Sequence, residues 1–199
     1  KNVYISTDFV FDGKKGKPYN EDDSPNPINI YGVGKYAGEI ITRNYCDKHY
    51  IIRVASLYGS KGSRGKGGNF VEEMVRKAKS NEMIKVVNDI VMSPTYTVDA
   101  ARMVKDIIEK EVPYGVYHVT NSGYCTWFEF AKKIFEFLDI KVDLSAIKSS
   151  ELKMRAKRPK FSALYSIKLH KFGLRGWFDG LFKGERIYMK SGEKLYEKI

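Results

Sequence analysis

The sequence predicts an α/β fold built on a parallel sheet, and two observations carry that prediction. Short apolar runs of strand length recur along the chain, and segments of helical period fall between them. Val3-Tyr-Ile-Ser6, Ile51-Ile-Arg-Val-Ala55 and Gly115-Val-Tyr-His-Val119 read as buried strands. Strand, helix, strand, helix, strand is the order of a sheet whose parallel neighbours are joined by helical crossovers.

Each element follows from its own residues. The run 3–6 ends in hydroxyls, Ser6 and Thr7, and then Asp8. A polar loop from Asp12 to Asn29 carries Pro18, Pro25 and Pro27. Residues 30–47 read as a helix, with Tyr36, Ala37, Ile40 and Ile41 as its apolar contacts. The glycine-rich stretch Gly59 to Gly68 reads as a flexible loop, followed by a helix over 69–80 and a short strand at 84–87. Residues 97–110 form a helix by period, with Val98, Ala101, Val104 and Ile108 on its apolar stripe. Thr126 with Glu129 three positions on is a capping box that opens a helix running to Leu138. Beyond Asp139 the chain is less regular and more basic.

Bulk properties exclude several classes. The 199 residues suffice for one good-sized domain or two small ones, and 43% apolar residues supply a core. No apolar run approaches the roughly 20 residues of a membrane-spanning helix, so no membrane partner is expected. The N-terminal residues 1–6 do not form a signal peptide, and the absence of an initial Met suggests that something upstream is missing. The net charge of +11 comes from scattered lysines and arginines. The densest group, Lys153 to Lys160, is too short for a nucleic-acid arm, and no nucleic-acid motif accompanies it. Cys46 and Cys125 form no CxxC pair and no metal-ligand set with His49, His118 or His170. Reduced thiols in a cytoplasmic protein are the expectation.

The chemistry lies in Tyr31-Gly-Val-Gly-Lys35, 24 residues after Thr7. Tyrosine and lysine four apart share one helix face. A free phenol keeps its proton up to about pH 10, and a nearby ammonium eases its release. Thr7, at the end of the preceding strand, is placed to polarise a carbonyl by hydrogen bonding. Tyr31 would then protonate that oxygen while a hydride adds to carbon. The YxxxK spacing alone arises by chance in many helices, and the Ser6-Thr7-Asp8 segment upstream is what makes it specific.

Three linked segments resemble the dTDP-4-dehydrorhamnose reductase family, a branch of the extended short-chain dehydrogenases. They are Ser6-Thr-Asp-Phe-Val-Phe-Asp-Gly13, Pro27-Ile-Asn-Ile-Tyr-Gly-Val-Gly-Lys35 with Gly38-Glu39, and Asn88-Asp89 with Ser93-Pro-Thr95. Ser122-Gly123, Trp127 and Ala156-Lys-Arg-Pro159 agree, and the similarity runs to about Trp177. The resemblance implies the C-terminal part of a doubly wound, Rossmann-type parallel sheet with a smaller α+β substrate-binding portion. Residues 1–58, joined by about 95–120, would be the second half of the dinucleotide-binding domain. Residues 59–94 and 121–199 would bind substrate.

The resemblance further implies Thr7, Tyr31 and Lys35 as the catalytic residues. Tyr31, Lys35 and Arg53 would face the cofactor, and Thr7, Asp8, Asn69, Phe70 and Arg158 the substrate. NADPH or NADH would reduce the 4-keto group of a dTDP-6-deoxyhexose. Mg2+ enters only as a family-level option, and a homodimer as the compatible assembly. The chain departs from the family at Ser56, where Trp is frequent, and at Met92, where a small residue is usual. It also lacks the glycine-rich pyrophosphate turn between a first strand and helix. The expectation is therefore a chain without its N-terminal cofactor-binding half.

Other readings weigh less. Sugar-nucleotide dehydratases carry Glu after the Thr-Asp pair, where Phe9 stands here, and Phe cannot transfer a proton. Epimerases differ along this strand. The β subunit of methionine adenosyltransferase resembles these reductases yet acts by binding a partner, so a non-catalytic subunit is a distinct alternative. A decayed remnant of an enzyme is a third. His118 reads as a packing residue rather than an acid or base, Trp127 as packing, and Arg158 equally as a phosphate contact or a surface ion pair.

Overall fold

Three parallel strands form the central sheet of the computed structural model, which describes residues 1–59, 67–80, 83–153 and 155–169. In chain order the first elements are β1 (Asn2–Thr7), α1 (Ile30–Tyr45), β2 (His49–Val54), β3 (Leu57–Tyr58) and α2 (Phe70–Ala78). Then come β4 (Ile84–Val87), β5 (Val91–Met92), β6 (Thr95–Tyr96), α3 (Thr97–Glu109) and β7 (Gly115–His118). The last are β8 (Cys125–Thr126), α4 (Trp127–Leu138) and β9 (Leu144–Ile147).

The central sheet has the order β1-β2-β7, with β2 in the middle and buried on both faces. Its register aligns Ser6, Arg53 and His118 side by side. Neighbours in register project to the same face, so a polar row crosses an otherwise apolar sheet. On one side Tyr50, Ile52, Tyr117 and Val119 pack with Ala100, Met103 and Ile107 of α3. The α3 stripe is therefore rotated from the expected one: Val98 and Ala101 are exposed, and Ala100, Met103 and Ile107 are buried.

A larger rotation separates α1 from its expected packing. Ala37, Ile40 and Ile41 face outward, and the buried residues are Gly32, Glu39 and Thr42. The reason is the polar row beneath the helix, which calls for a carboxylate, and the closeness of the approach. A Cβ on Gly32 would lie 2.2 Å from the Phe9 carbonyl oxygen, and one on Gly38 would lie 2.1 Å from the Tyr4 hydroxyl. Glycine inside a helix costs about 1 kcal/mol relative to alanine. Here it lets α1 lie directly against β1 and the 3-10 turn Asp8–Val10 that follows it.

A second core surrounds α2 and α4. Tyr58, Met74, Val86, Met92, Tyr96, Phe130, Ile134 and Phe135 are buried together there. Met92, unusual for its position by family pattern, is 1% exposed and fills this core. The Thr126 hydroxyl accepts the Glu129 N–H at 3.1 Å, and the Glu129 carboxylate accepts the Thr126 N–H at 2.7 Å. Thr126 also donates to Asn88 at 2.8 Å. Thr126→Ala is expected to lower stability by about 1 kcal/mol, read as a shift in the urea midpoint. No described helix is long and apolar enough to cross a membrane.

Candidate functional site

The site lies where β1 ends. The strand carries its hydroxyls, Ser6 and Thr7, into the buried interior, and the chain turns immediately at Asp8. Asn29 caps α1 by accepting the Gly32 N–H at 2.8 Å, which starts the helix just before Tyr31. Tyr31 is 56% exposed, so its phenol opens outward from this corner. Its ring stands edge-on to Phe9 with centroids 6.0 Å apart, which ties the first helical turn to the turn after β1.

Lys35 follows one turn later. Its ammonium donates to the Ile5 carbonyl at 3.0 Å and sits 5.3 Å from the centre of the Tyr4 ring. An ammonium has three donors, so two remain beyond the Ile5 bond. Thr7 and Asp8 are almost fully buried behind this surface, 5% and 3% exposed. Thr7 Oγ1 donates to Asp8 Oδ1 at 3.0 Å and accepts the Phe9 N–H at 3.3 Å. Burial pushes the Asp8 carboxyl up to about 6, against the pull of the Ser162 and Thr7 hydroxyls.

A buried ion pair holds the corner from behind. Glu39, two turns beyond Tyr31 on α1, is fully buried. Its carboxylate accepts Arg53 Nε at 2.9 Å and Arg53 Nη2 at 2.7 Å, together with the Ser6 hydroxyl at 2.5 Å. Arg43 adds a bond at 3.2 Å. Arg53 Nη1 donates to His118 Nε2 at 3.3 Å, and His118 Nδ1 lies 3.1 Å from the carbonyls of Tyr19 and Tyr165. Burial drives the His118 imidazole down to about 4, with Glu21 opposing and the Arg53 guanidinium assisting. His118 is therefore neutral at neutral pH, in keeping with a packing role.

Three residues expected to face ligands make these contacts within the protein. Arg53 is 1% exposed and its guanidinium lies between Glu39 and His118, so it braces the sheet instead of reaching a cofactor. Asn69 caps α2, accepting the Val71 and Glu72 N–H groups and donating to the Gly59 carbonyl at 2.7 Å. Its half-buried amide is thus engaged by the backbone at both ends of this turn. Phe70 packs against Trp127 and Phe130 in the second core, with ring centres 4.6 and 5.5 Å away. Trp127 packs there as expected.

Arg158 is exposed. Its segment reaches the site, because Asn29 donates to the Lys157 carbonyl at 2.9 Å. Ser56 adopts φ 43°, a left-handed conformation uncommon for a residue with a side chain, at the turn from β2 to β3. Most of the Gly59–Gly68 loop and the chain beyond Leu169 lie outside the described residues. Among the described residues no cluster of three His, Cys, Asp or Glu side chains is arranged to hold a metal ion.

Of the four residues at the centre of the expected site, Thr7 ends β1, Asp8 follows it, Tyr31 meets Phe9 just beyond them, and Lys35 bonds the Ile5 carbonyl of the same strand. Glu39 and Glu21 had no expected part. For Glu39 a signal existed: Tyr31, Lys35 and Glu39 recur at four-residue spacing along one side of the helix.

A parallel sheet with a tyrosine–lysine helix laid across the end of its edge strand defines a Rossmann-like α/β protein of the short-chain dehydrogenase type. The chain belongs to the RmlD substrate binding domain family, whose model matches residues 1–181. It is 39% identical over 173 residues to the spore coat polysaccharide biosynthesis protein SpsK of Bacillus subtilis, covering 87% of this chain and 59% of that protein. It is 38% identical over 138 residues to dTDP-4-dehydrorhamnose reductase of Escherichia coli, covering 67% and 44%. The crystal structure of dTDP-4-dehydrorhamnose reductase from Bacillus anthracis in complex with NADP superimposes with a TM-score of 0.83 at 43% identity. That match covers 90% of this chain and 63% of the other. The dTDP-glucose 4,6-dehydratase of the same organism, in complex with NAD, shares the fold with a TM-score of 0.73 at 18% identity. The chain spans about 60% of the length of SpsK and of the matched B. anthracis reductase.

Proposed function

We propose that this chain is the larger part of a dTDP-4-dehydrorhamnose reductase that uses NADPH or NADH. Its substrate in this reading is dTDP-4-dehydro-6-deoxy-L-mannose, reduced at the 4-keto group in dTDP-L-rhamnose synthesis. The observation that carries the reading is the exposed Tyr31 phenol one turn from Lys35, its ring edge-on to Phe9 two residues beyond Thr7, in a chain of this family. Residues 1–58 with about 95–120 form the second half of the dinucleotide domain, and 59–94 with 121–199 the substrate-binding portion. The cofactor-binding half that precedes Lys1 in this reading supplies the pyrophosphate turn.

Thr7 and Tyr31 hold the 4-keto oxygen, and Tyr31 Oη gives it a proton as the carbonyl carbon is reduced to the alcohol. The reduced nicotinamide, when bound, supplies the hydride. Lys35 keeps two N–H donors for ribose hydroxyls, and its charge stabilises the phenolate left on Tyr31. Asp8 lies behind Thr7 on the sugar side. The exposed Arg158, on the segment tied down by Asn29, faces the substrate diphosphate as a charge-assisted donor. Phe9, beside Tyr31, has no proton to transfer, which suits reduction without water elimination.

The test supplies the longer protein, with its residues preceding Lys1, with NADPH and the dTDP-4-keto-6-deoxy sugar. Loss of NADPH absorbance with equimolar formation of the dTDP-6-deoxyhexose is expected. Absence of coenzyme oxidation with an intact fold overturns the reading. Residues 1–199 alone are expected to bind NADPH with a Kd above about 1 mM. Tight binding by calorimetry would show that the missing half is not needed.

A further inference from the structure

The hydrogen bonds of Thr7 conflict with its role. A hydroxyl has one proton to donate and two lone pairs to accept with. The Thr7 proton lies on Asp8 Oδ1 at 3.0 Å, and one lone pair takes the Phe9 N–H. No proton is left for a substrate carbonyl. Asp8 itself is 97% buried, and the Ser162 hydroxyl is the other side-chain group that acts on its carboxyl.

We propose that Asp8 governs the Thr7 hydroxyl: its ionised form draws the Thr7 proton inward, and its neutral form turns that proton outward toward the substrate carbonyl. The inference rests on the reductase reading. In the neutral form the carboxyl O–H donates to Thr7 Oγ1. Thr7 then accepts from both Asp8 and the Phe9 N–H and donates once, to the 4-keto oxygen. Every donor and acceptor of the hydroxyl is used. The proton on Asp8 is taken from solvent and is not consumed by the reaction. Asp8 is thus a positioning residue that acts through Thr7.

Burial brings the neutral form within reach of mildly acidic pH. Burial drives the Asp8 carboxyl up to about 6, and the hydroxyls of Ser162 and Thr7 hold it from rising further. The charged and titratable groups nearest in the fold include Tyr4 on β1, Tyr31, Lys35, Tyr36, Glu39 and Arg43 on α1, Arg53 on β2 and His118 on β7, with Arg158 and Lys160 on the segment bearing Ser162. Glu39 and Arg53 pair with each other, His118 is neutral, and Lys35 is bonded to the Ile5 carbonyl.

The test is the pH profile of kcat/KM in the longer protein. For wild type it should fall as pH rises above about 6. Asp8→Asn keeps an N–H donor for Thr7 at every pH, so this limb should vanish, and activity at pH 8, two units above the Asp8 midpoint, should exceed wild type by up to roughly a hundredfold. Ser162→Ala removes a hydroxyl that stabilises the ionised carboxylate, so the limb should move to higher pH. A limb retained in Asp8→Asn, or unmoved in Ser162→Ala, overturns the proposal. Inactivity of every form, wild type included, removes the reductase reading instead. Carbon-13 NMR titration of Asp8 in residues 1–199 then decides the coupling: Thr7→Val should raise the Asp8 midpoint, and an unmoved midpoint overturns it.

Discussion

In the proposed reductase, replacing Tyr31 by phenylalanine is expected to lower turnover by about 10²–10⁴-fold, the usual contribution of a positioned proton donor. Affinity for the dTDP-sugar should change little, because the ring and its edge contact with Phe9 remain. The loss should appear in kcat with KM nearly constant, since the missing interaction forms only as charge develops on the substrate oxygen. Single-turnover kinetics with saturating NADPH in the longer protein provide the measurement. Normal turnover in the mutant would remove Tyr31 as the acid and leave Thr7 or solvent in that role.

Glu39→Ala should cost about 3–5 kcal/mol of stability, because it leaves the Arg53 guanidinium buried without its counter-charge. That is a large fraction of the roughly 5–15 kcal/mol that holds a domain together. The guanidinium chloride midpoint of residues 1–199 should fall accordingly. The double replacement Glu39→Leu with Arg53→Met should recover part of the loss, since removing both charges avoids the uncompensated one. Recovery stays partial because Ser6 and His118 lose their partners on Glu39 and Arg53. A single Glu39→Ala as stable as wild type would mean that the pair contributes nothing beyond its own desolvation cost.

Both expectations concern the same helix, and they differ in how far each was visible beforehand. Tyr31 and Lys35 were legible because a four-residue spacing is local and Thr7 ends a short strand just upstream. The inward face of α1 was not. Hydrophobic period would place Ile40 and Ile41 against the sheet, yet they face outward. A helix turns its polar side inward only when the sheet below presents polar groups, and that row exists because Ser6, Arg53 and His118 fall into register across three strands. Asn69 shows the same limit from the other direction. The family resemblance placed it, at the end of a loop, beside substrate, and its capping of α2 with a bond to Gly59 became visible only in the fold.

By itself the sequence determined the parallel α/β class, the three strands of the central sheet with the four helices, the capping box at Thr126 and the four residues expected at the end of β1. These depend on contacts within a turn or two of the chain, or on a strand running directly into its own loop. Only the tertiary structure decided that Arg53 braces the sheet, that Glu39 is its counter-charge, and that Asp8 holds the Thr7 proton. It also decided the anchoring of the C-terminal segment, where Ser166 and the Ile167 N–H bond Glu21 across 145 and 146 residues. A buried charge takes whichever partner the packing brings to it, and desolvation makes that partner obligatory. The partner's identity depends on strand register and helix rotation, which no local spacing specifies.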